Sequence, residues 1–194
     1  MPFDAAYYAR YYHGHRRISS PREVARLARA VCCLAEHHGQ PLERVLDVGA
    51  GPGLWRDWFR SHRPEARYRS VDVSPHACER YGHERKDVSR WRARERFDLI
   101  VCQGVLQYLD DGACARAIEN LGAMCRGLLF LEALTRRDLA EVVDRSASDL
   151  AVHLRTGAWY RARLDAAGFR QLGAGLWVSR RSPLQLFELE AAGR

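Results

Sequence analysis

Three glycines at alternate positions, Gly49, Gly51 and Gly53, stand where this 194-residue chain is best equipped for chemistry. They follow a short apolar run that contains Asp47, and a helical pattern begins at Leu54. Such a run is typical of a buried parallel strand. Glycines beyond its end let the backbone turn tightly and approach a ligand, and the free N–H groups of a helix start favour polar or anionic ligand groups. The order of strand, glycine turn and helix therefore indicates a nucleotide-cofactor site.

The spacing of the glycines distinguishes one cofactor from another. The dinucleotide fingerprint is Gly-x-Gly-x-x-Gly, and Leu54 stands where its third glycine would fall, which disfavours an NAD-dependent oxidoreductase. The acid-x-Gly-x-Gly-x-Gly pattern that begins at Asp47 instead resembles motif I of class I S-adenosylmethionine (SAM)-dependent methyltransferases. This resemblance covers roughly 42–190 and implies SAM as cofactor and S-adenosylhomocysteine (SAH) as product. A glycine turn without a ligand is the alternative.

The ends of the strands supply the other expected cofactor residues, because ligands of open α/β sheets bind beyond the carboxyl ends of the strands. Asp72 ends the second strand and is expected to accept hydrogen bonds from ribose hydroxyls, or else to cap a helix. The resemblance implies that Asp47 lies near the SAM amino group and Asp87 near the adenine amino group; an exposed loop acid is the alternative for Asp87. The expected cofactor residues are Asp47, Gly49, Ala50, Gly51, Gly53, Asp72, Val73, Asp87, Val88, Gln103 and Gly104.

The segment after the fourth strand departs from the family pattern. Gln107 and Tyr108 stand where related enzymes commonly carry two histidines, so the obvious imidazole base is missing. Two residues are candidates for catalysis: Tyr108, which would orient an acceptor or simply pack, and His153, which would act as a base or lie at the surface. The expected acceptor-binding residues are Tyr7, Tyr8, Tyr11, Tyr12, Gln107 and Tyr160. The four N-terminal tyrosines predict either a lid over cofactor and acceptor or one helix face packed on the core.

Methyl transfer explains why no compact catalytic signature is expected. The sulfonium leaves as a neutral thioether, so an enzyme needs mainly to hold the acceptor close and to exclude water. A base is required only for a weakly acidic acceptor.

Alternating strands and helices must position these residues. A capping box at Ser20–Glu23 opens a helix that runs to about His38. Strands are predicted over 45–48, 68–73, 84–87, 97–102, 127–131, 169–178 and 184–190, and further helices over 54–63, 75–81, 112–125, 136–154 and 157–167. The last two strands have a short connection and are expected to be antiparallel. The pattern predicts an α/β fold: a three-layer Rossmann-like methyltransferase fold, with a seven-stranded, mostly parallel sheet, an antiparallel last strand and helices on both faces.

Length and composition limit the remaining possibilities. We expect a single methyltransferase domain over 1–194, with an N-terminal helical cap over 1–40 and a SAM-binding core over 41–194. No apolar run of about 18 residues occurs and the N-terminus lacks a signal-peptide pattern, which predicts a cytoplasmic protein without a membrane partner. The six cysteines form no Cys-x-x-Cys pair and no paired zinc spacing, so structural thiols and no metal are expected.

The net charge of +7 raises the question of nucleic acid. Only one of the 31 basic residues, Lys86, is lysine, and the arginines are scattered among acids, which is typical of a solvated surface. The leading hypothesis is a methyltransferase that acts on a small molecule as a monomer or homodimer. A methyltransferase of RNA or protein, and a non-catalytic SAM-binding partner or regulator, stay open.

Overall fold

The computed structural model describes residues 3–13, 17–146 and 148–190. Its strands are β1 Arg44–Val48, β2 Arg67–Asp72, β3 Glu84–Arg85, β4 Phe97–Gln103, β5 Cys125–Glu132, β6 Phe169–Gly173 and β7 Leu176–Ser179. Its helices are α1 Ala5–Tyr12, α2 Pro21–His37, α3 Leu54–His62, α4 Pro75–Tyr81, α5 Asp111–Met124, α6 Arg136–Glu141 and α7 Gly157–Ala166, with single 3₁₀ turns at Leu106–Tyr108 and Glu188–Glu190.

The seven strands form one sheet in the order β3-β2-β1-β4-β5-β7-β6. The pairs among β1 to β5 are parallel, and β7 runs antiparallel between β5 and β6. Parallel strands need crossover helices, and the chain supplies them between successive strands. This arrangement confirms the predicted methyltransferase fold class.

The two faces of the sheet bury different sets of side chains, because successive strand residues point to opposite faces. Leu46 of β1 and Ile100 of β4 pack in a core with α5 and α7. Val45 and Leu99, their neighbours along the same strands, pack in a second core with α2 and α3. The helix α2 belongs to this second core through a face that includes Val24, Ala28, Val31, Cys32 and Ala35.

The N-termini of the helices follow the predicted capping signals. At α2, the Ser20 hydroxyl accepts from the Glu23 N–H, and the Glu23 carboxylate accepts in return from the Ser20 N–H. At α4, the Ser74 hydroxyl accepts from the Ala77 N–H. Each side chain satisfies a donor that the helix itself leaves unpaired.

Three predicted elements are wrong. The helix over 136–154 ends already at Glu141, and the chain beyond it turns. The strand over 169–178 is two strands, β6 and β7, and 184–190 forms no strand. The sequence Gly173-Ala174-Gly175 turns the chain, with φ angles of 112°, 48° and 80°. Glycine adopts such angles without a steric penalty, so this tight turn joins the antiparallel pair.

None of the described helices has the length and apolar composition that crossing a membrane requires. Four of the six cysteines are buried: Cys32, Cys102, Cys114 and Cys125. Burial raises the pKa of Cys114 to about 11 and that of Cys32 to about 12, since a thiolate is poorly solvated there. These thiols pack as small apolar groups.

Candidate active site

The glycine turn is fixed by backbone hydrogen bonds to the neighbouring strand. The N–H groups of Gly49 and Ala50 donate to the Val71 carbonyl of β2 at 2.8 and 3.1 Å. Gly49, Gly51 and Gly53 have φ angles of 70°, 54° and 79°, which side chains with a Cβ rarely adopt. A Cβ on Gly49 would also come within 2.2 Å of Val105 Cγ2. Glycine is therefore required there by conformation and by space.

Asp72 ties the glycine turn to the start of α4. One carboxylate oxygen accepts from the Gly51 N–H at 2.9 Å, and the other accepts from the Ser74 N–H at 2.8 Å. The side chain is buried at the end of β2. Ser74, and not Asp72, is the residue that caps α4. Each carboxylate oxygen retains a second lone pair, so Asp72 can still accept from a ligand hydroxyl.

His83 hydrogen-bonds to the same glycine turn, although no motif in the sequence marks this residue. Its Nε2 lies 3.0 Å from the Gly51 carbonyl, and its Nδ1 lies 2.8 Å from the Ser70 hydroxyl. Burial lowers the pKa of this imidazole. Because a carbonyl only accepts, the neutral ring must carry its proton on Nε2 and accept from Ser70 at Nδ1.

Asp47 lies at the base of the turn and is buried. Its carboxylate accepts from the Tyr68 hydroxyl at 2.9 Å. Burial raises the pKa of Asp47 to about 7, and the nearby Asp72 charge acts in the same direction. The approach of a cationic group would lower this pKa again, so the site favours a cation.

A cavity opens above the glycine turn, at the carboxyl ends of β1, β4 and β5. It is lined by Tyr12, Ile18, Ser19, Val24, Asp47, Gly49, Ala50, Gly51, Pro52, Leu54, Trp55, Gln103, Gly104 and Glu132. The lining contains two carboxylic acids and no arginine, lysine or histidine among the described residues. SAM carries an ammonium and a sulfonium, and the residues present fit such a cationic group.

A larger cleft, of about 1090 Å³, lies at the other edge of the sheet, against β6, β7 and the segment 182–188. It shares no residue with the cavity above the glycine turn. Size alone does not make it the active site, since open α/β sheets bind ligands where the order of the strands reverses, between β1 and β4.

A chain of side-chain hydrogen bonds crosses the β4–β5 side of the cavity. Trp55 Nε1 donates to Gln103 Oε1 at 2.9 Å, and Gln103 Nε2 donates to Glu132 Oε2 at 3.3 Å. An indole N–H can only donate, so it fixes which way the Gln103 amide faces. Glu132 still reaches solvent, yet the surrounding protein raises the pKa of its carboxyl group.

The turn after β4 is held by a buried arginine from a distant part of the chain. Arg155 donates to the Leu106 carbonyl at 3.2 Å, to the Leu109 carbonyl, and to the Asp111 carboxylate at 2.8 Å. The His153 N–H donates to the Gln107 carbonyl at 2.7 Å. These bonds fix the backbone that carries Gln107 and Tyr108.

The helix α1 lies over the glycine turn and the end of β2. Tyr8 is buried, and the Tyr8 and Tyr12 rings approach the position that a Cβ on Gly51 would take. Ser74 Oγ donates to the Phe3 carbonyl. The hydroxyls of Tyr7 and Tyr108 lie 3.0 Å apart, and Phe3 packs edge-on against both rings. The tyrosines therefore join α1 to the ends of β2 and β4.

The structure brings together most of the residues singled out by sequence, but not all of them. Asp47, Gly49, Ala50, Gly51, Gln103, Gly104 and Tyr12 line the cavity. Gly53 is the N-cap residue of α3. Asp72 is buried near α1, and the neighbouring Val73 is exposed. Tyr11 packs against Tyr7.

Four other expected residues have their described contacts outside this cavity. Asp87 accepts from the N–H and hydroxyl of Ser89, and Val88 is buried in the core. Tyr160 is also buried and bonds to Arg155. His153 has an exposed side chain and does not line the cavity.

Sequence reasoning missed Trp55, Glu132, Arg155 and His83. Glu132 is the last residue of β5, as Asp72 is the last residue of β2, so its place at a strand end is the signal that marks it. No local signal marks the other three, since their partners are distant in sequence.

Comparison with known proteins identifies the family of this chain. The sequence profile of a methyltransferase domain family matches 12–174. No curated protein matches the chain in sequence. Similar solved structures include an amino pentose methyltransferase from Micromonospora echinaspora, with a TM-score of 0.64 and 19% identity over 92% of this chain and 97% of that one.

Two further structures are similar at low identity. A sugar N-methyltransferase from Streptoalloteichus has a TM-score of 0.63 and 18% identity, covering 92% of each chain. A SAM-dependent methyltransferase from Clostridium acetobutylicum has a TM-score of 0.63 and 12% identity, covering 87% of each chain. At these identities the likeness demonstrates a shared fold.

Proposed function

The chain belongs to the SAM-dependent methyltransferase family, and from that premise we propose that it transfers the methyl group of SAM to a small molecule. The observation that carries the proposal is the position of α1. Its tyrosines lie over the carboxyl ends of the strands and bond to the turn after β4, so the site is roofed by the chain's own side chains. A roofed site suits a small acceptor better than a nucleic-acid strand or a folded protein.

The glycine turn and its supports would hold the cofactor. Gly49, Gly51 and Gly53 let the backbone approach it, and Asp72 would accept hydrogen bonds from its ribose hydroxyls. Val73 offers an exposed apolar side chain beside Asp72, where an adenine ring could pack. Asp47 would face the positive charge of the methionine part. Asp87 and Val88 stay predicted adenine contacts.

The bound cofactor supplies an activated methyl group whose leaving group is a neutral thioether. The protein therefore needs no acid for the departing sulfur, and its work is to orient the acceptor and to exclude water. The tyrosines of α1, which lie over the site, would exclude water. Entry of cofactor and acceptor requires α1 to move, because the Tyr8 and Tyr12 side chains approach Gly51, whose N–H donates to Asp72.

Tyr108 would orient the acceptor as a neutral hydroxyl. Burial raises the pKa of Tyr7 to about 12 and that of Tyr108 further above its ordinary value. A phenol with such a pKa is not deprotonated at neutral pH, so neither residue serves as a general base there. The hydroxyl pair can still donate to or accept from a substrate. His153 as a base would require rearrangement of its exposed side chain.

Names of structural neighbours support a small acceptor. The Micromonospora and Streptoalloteichus proteins are named as methyltransferases of an amino pentose and of a sugar. The proposed arrangement is an N-terminal helical cap over 1–40 that covers a SAM-binding core over 41–194. A monomer or homodimer in the cytoplasm is the proposed state.

Methyl transfer from labelled SAM tests this proposal. The protein is incubated separately with a small-molecule ultrafiltrate of a bacterial extract, with total RNA and with extracted protein. Label is expected in the small-molecule fraction. Label confined to RNA or protein would contradict the proposed acceptor class. Calorimetric titration with SAH and with NAD accompanies the assay, and only SAH is expected to bind.

A further inference from the structure

Glu132 is a carboxylic acid of the cavity lining to which the proposed methyl transfer assigns no role. It ends β5, pairs in register with Gln103 of β4, and lines the cavity. Gln103 binds one of its carboxylate oxygens, and none of the described residues hydrogen-bonds to the other. The Glu132 carbonyl accepts from the Gly104 N–H at 2.8 Å, which fixes the backbone. A carboxylate is therefore held in place with one oxygen available to a ligand.

Gln107 offers a second unused acceptor nearby. Its Oε1 is buried and bonds to no described residue, a costly state for an amide oxygen. Its Nε2 lies 3.7 Å from the position of a Cβ on Gly104, a residue of the cavity wall. A ligand that donates hydrogen bonds would satisfy this oxygen.

The order of the strands assigns these groups to the acceptor. The proposed cofactor contacts run from Asp72 of β2 through the glycine turn after β1 to Gln103 and Gly104 at the end of β4, and β5 lies on the far side of β4 from β1. The acceptor must approach the methyl group from that other side. Glu132 ends β5 and lines the cavity, and Gln107 lies on the turn after β4, so both residues belong to the side from which the acceptor would approach.

The local charge contrasts with that of the whole chain. The chain carries a net charge of +7, yet the described residues of the cavity lining include Asp47 and Glu132 and no basic side chain. Asp149 acts on the same region, since its charge raises the pKa of Tyr7, Tyr12 and Tyr108. A site with this sign of charge attracts a cation.

We propose that the methyl acceptor is an amine, held by the Glu132 carboxylate and the Gln107 amide oxygen. An ammonium group donates up to three hydrogen bonds and carries the charge that these groups favour, whereas a hydroxyl donates one. This assignment rests on the proposed small-molecule function and names its substrate class.

The chemistry balances with Glu132 as the proton acceptor. The ammonium gives one proton to the Glu132 carboxylate, which frees the nitrogen lone pair. The nitrogen then bonds to the methyl carbon while the carbon–sulfur bond breaks, and that electron pair stays on sulfur. The product is a methylated ammonium, and Glu132 returns its proton to solvent. The raised pKa of Glu132 makes it a better proton acceptor than an ordinary carboxylate.

A split of the small-molecule extract tests the amine assignment. The ultrafiltrate is passed over a cation exchanger at neutral pH, and the retained and unretained molecules are each incubated with protein and labelled SAM. Label is expected among the retained molecules. Label only among the unretained molecules would overturn the amine assignment and leave the proposed function intact. Label in neither fraction would contradict the proposed function, and the amine assignment with it.

Glu132→Gln tests the residue, with Glu119→Gln on the exposed face of α5 as matched control. For the labelled acceptor, we expect Glu132→Gln to raise KM at least about tenfold, the effect of losing one charged hydrogen bond. The Kd of SAH, measured by calorimetry without acceptor, should stay within about twofold. Equal losses in KM and SAH affinity would instead make Glu132 a cofactor residue and overturn the assignment.

The pH profile separates proton acceptance from simple packing. In the wild-type protein, acceptor KM should rise as the pH falls through the pKa of Glu132, because the carboxyl group loses its charge. Asp138 on α6, Asp47 of β1 and Tyr12 of α1 are the other titratable groups around it. This rise should vanish in Glu132→Gln and persist in Glu119→Gln. A profile unchanged by Glu132→Gln would contradict the proposed role.

Discussion

On the β1–β2 side of the cavity, backbone N–H groups bind to strand carbonyls and to Asp72; on the β4–β5 side, side chains bind to other side chains. The first side uses Gly49, Gly51 and Asp72. The second uses the Trp55–Gln103–Glu132 series and the hydroxyl pair of Tyr7 and Tyr108.

The difference teaches how each side constrains the sequence. A backbone turn with positive φ angles accepts few residue types, so it leaves a readable glycine pattern. A network of side chains can be built from many residue types at many positions, so it leaves no recognisable sequence pattern. The β1–β2 side, which is the proposed cofactor side, should therefore tolerate substitution poorly. Substitutions on the β4–β5 side, which is the proposed acceptor side, should change specificity more than stability.

The largest effect is expected for Asp72→Ala. It leaves the Gly51 and Ser74 N–H groups without their buried partner, and should lower the free energy of unfolding by about 2–4 kcal/mol. SAH affinity should fall by about 1–3 kcal/mol, as measured by calorimetry. Asp110→Ala, which removes only the cap of α5, should cost about 1 kcal/mol of stability and leave SAH affinity unchanged. Equal SAH binding by Asp72→Ala and wild type would remove Asp72 from the cofactor site.

Gly49→Ala should come next, with a loss of about 2–4 kcal/mol in the free energy of unfolding. The residue would meet Val105 Cγ2 and would also strain a positive φ angle. Gly39→Ala is the matched control, because Gly39 has a similar φ of 69° and nothing within 4 Å of its Cβ position. It should lose only about 1–2 kcal/mol from strain. If urea unfolding gave equal losses of unfolding free energy for Gly49→Ala and Gly39→Ala, crowding at Gly49 would play no part.

Asp47→Asn should alter the dependence of stability on pH. The folded pKa of Asp47 is about 7 and its ordinary value is 3.8, so the folded protein binds more protons between these values. The contribution of Asp47 to stability is therefore fully present below about pH 4 and is lost as the pH rises to about 7, with a slope of up to about 1.4 kcal/mol per pH unit. Urea unfolding at pH 5 and at pH 8 gives the difference in unfolding free energy between wild type and Asp47→Asn. The change in that difference between the two pH values measures the contribution of Asp47. No change in that difference would mean that Asp47 titrates normally.

The smallest effect on stability is expected on the acceptor side. Tyr7→Phe and Tyr108→Phe each remove one hydroxyl of the pair, and a double-mutant cycle should give a coupling of about 0.5–1.5 kcal/mol in unfolding. Acceptor KM should rise more than SAH Kd in both variants. If SAH affinity fell as much as acceptor affinity, the two sides of the cavity would not be separable.

Sequence alone determined the methyl donor and the fold class, because both depend on local features. The strand, the glycine spacing and the acid at Asp72 each occupy a short segment, and regular alternation of strands and helices leaves few ways to build a sheet. The expected strand over 184–190 failed because the turn at Gly173–Gly175 competes with the longer connection at 180–183, and residue types alone do not decide between them.

Only the tertiary structure decided which residues meet on the β4–β5 side of the cavity. Glu132, Trp55 and Arg155 come from β5, α3 and the segment before α7, and the cavity exists because the sheet order places these elements side by side. It also decided the state of Asp47, whose burial against Tyr68 raises its pKa. A pattern along the chain records backbone conformation, whereas long-range contacts and burial arise only when distant segments pack together.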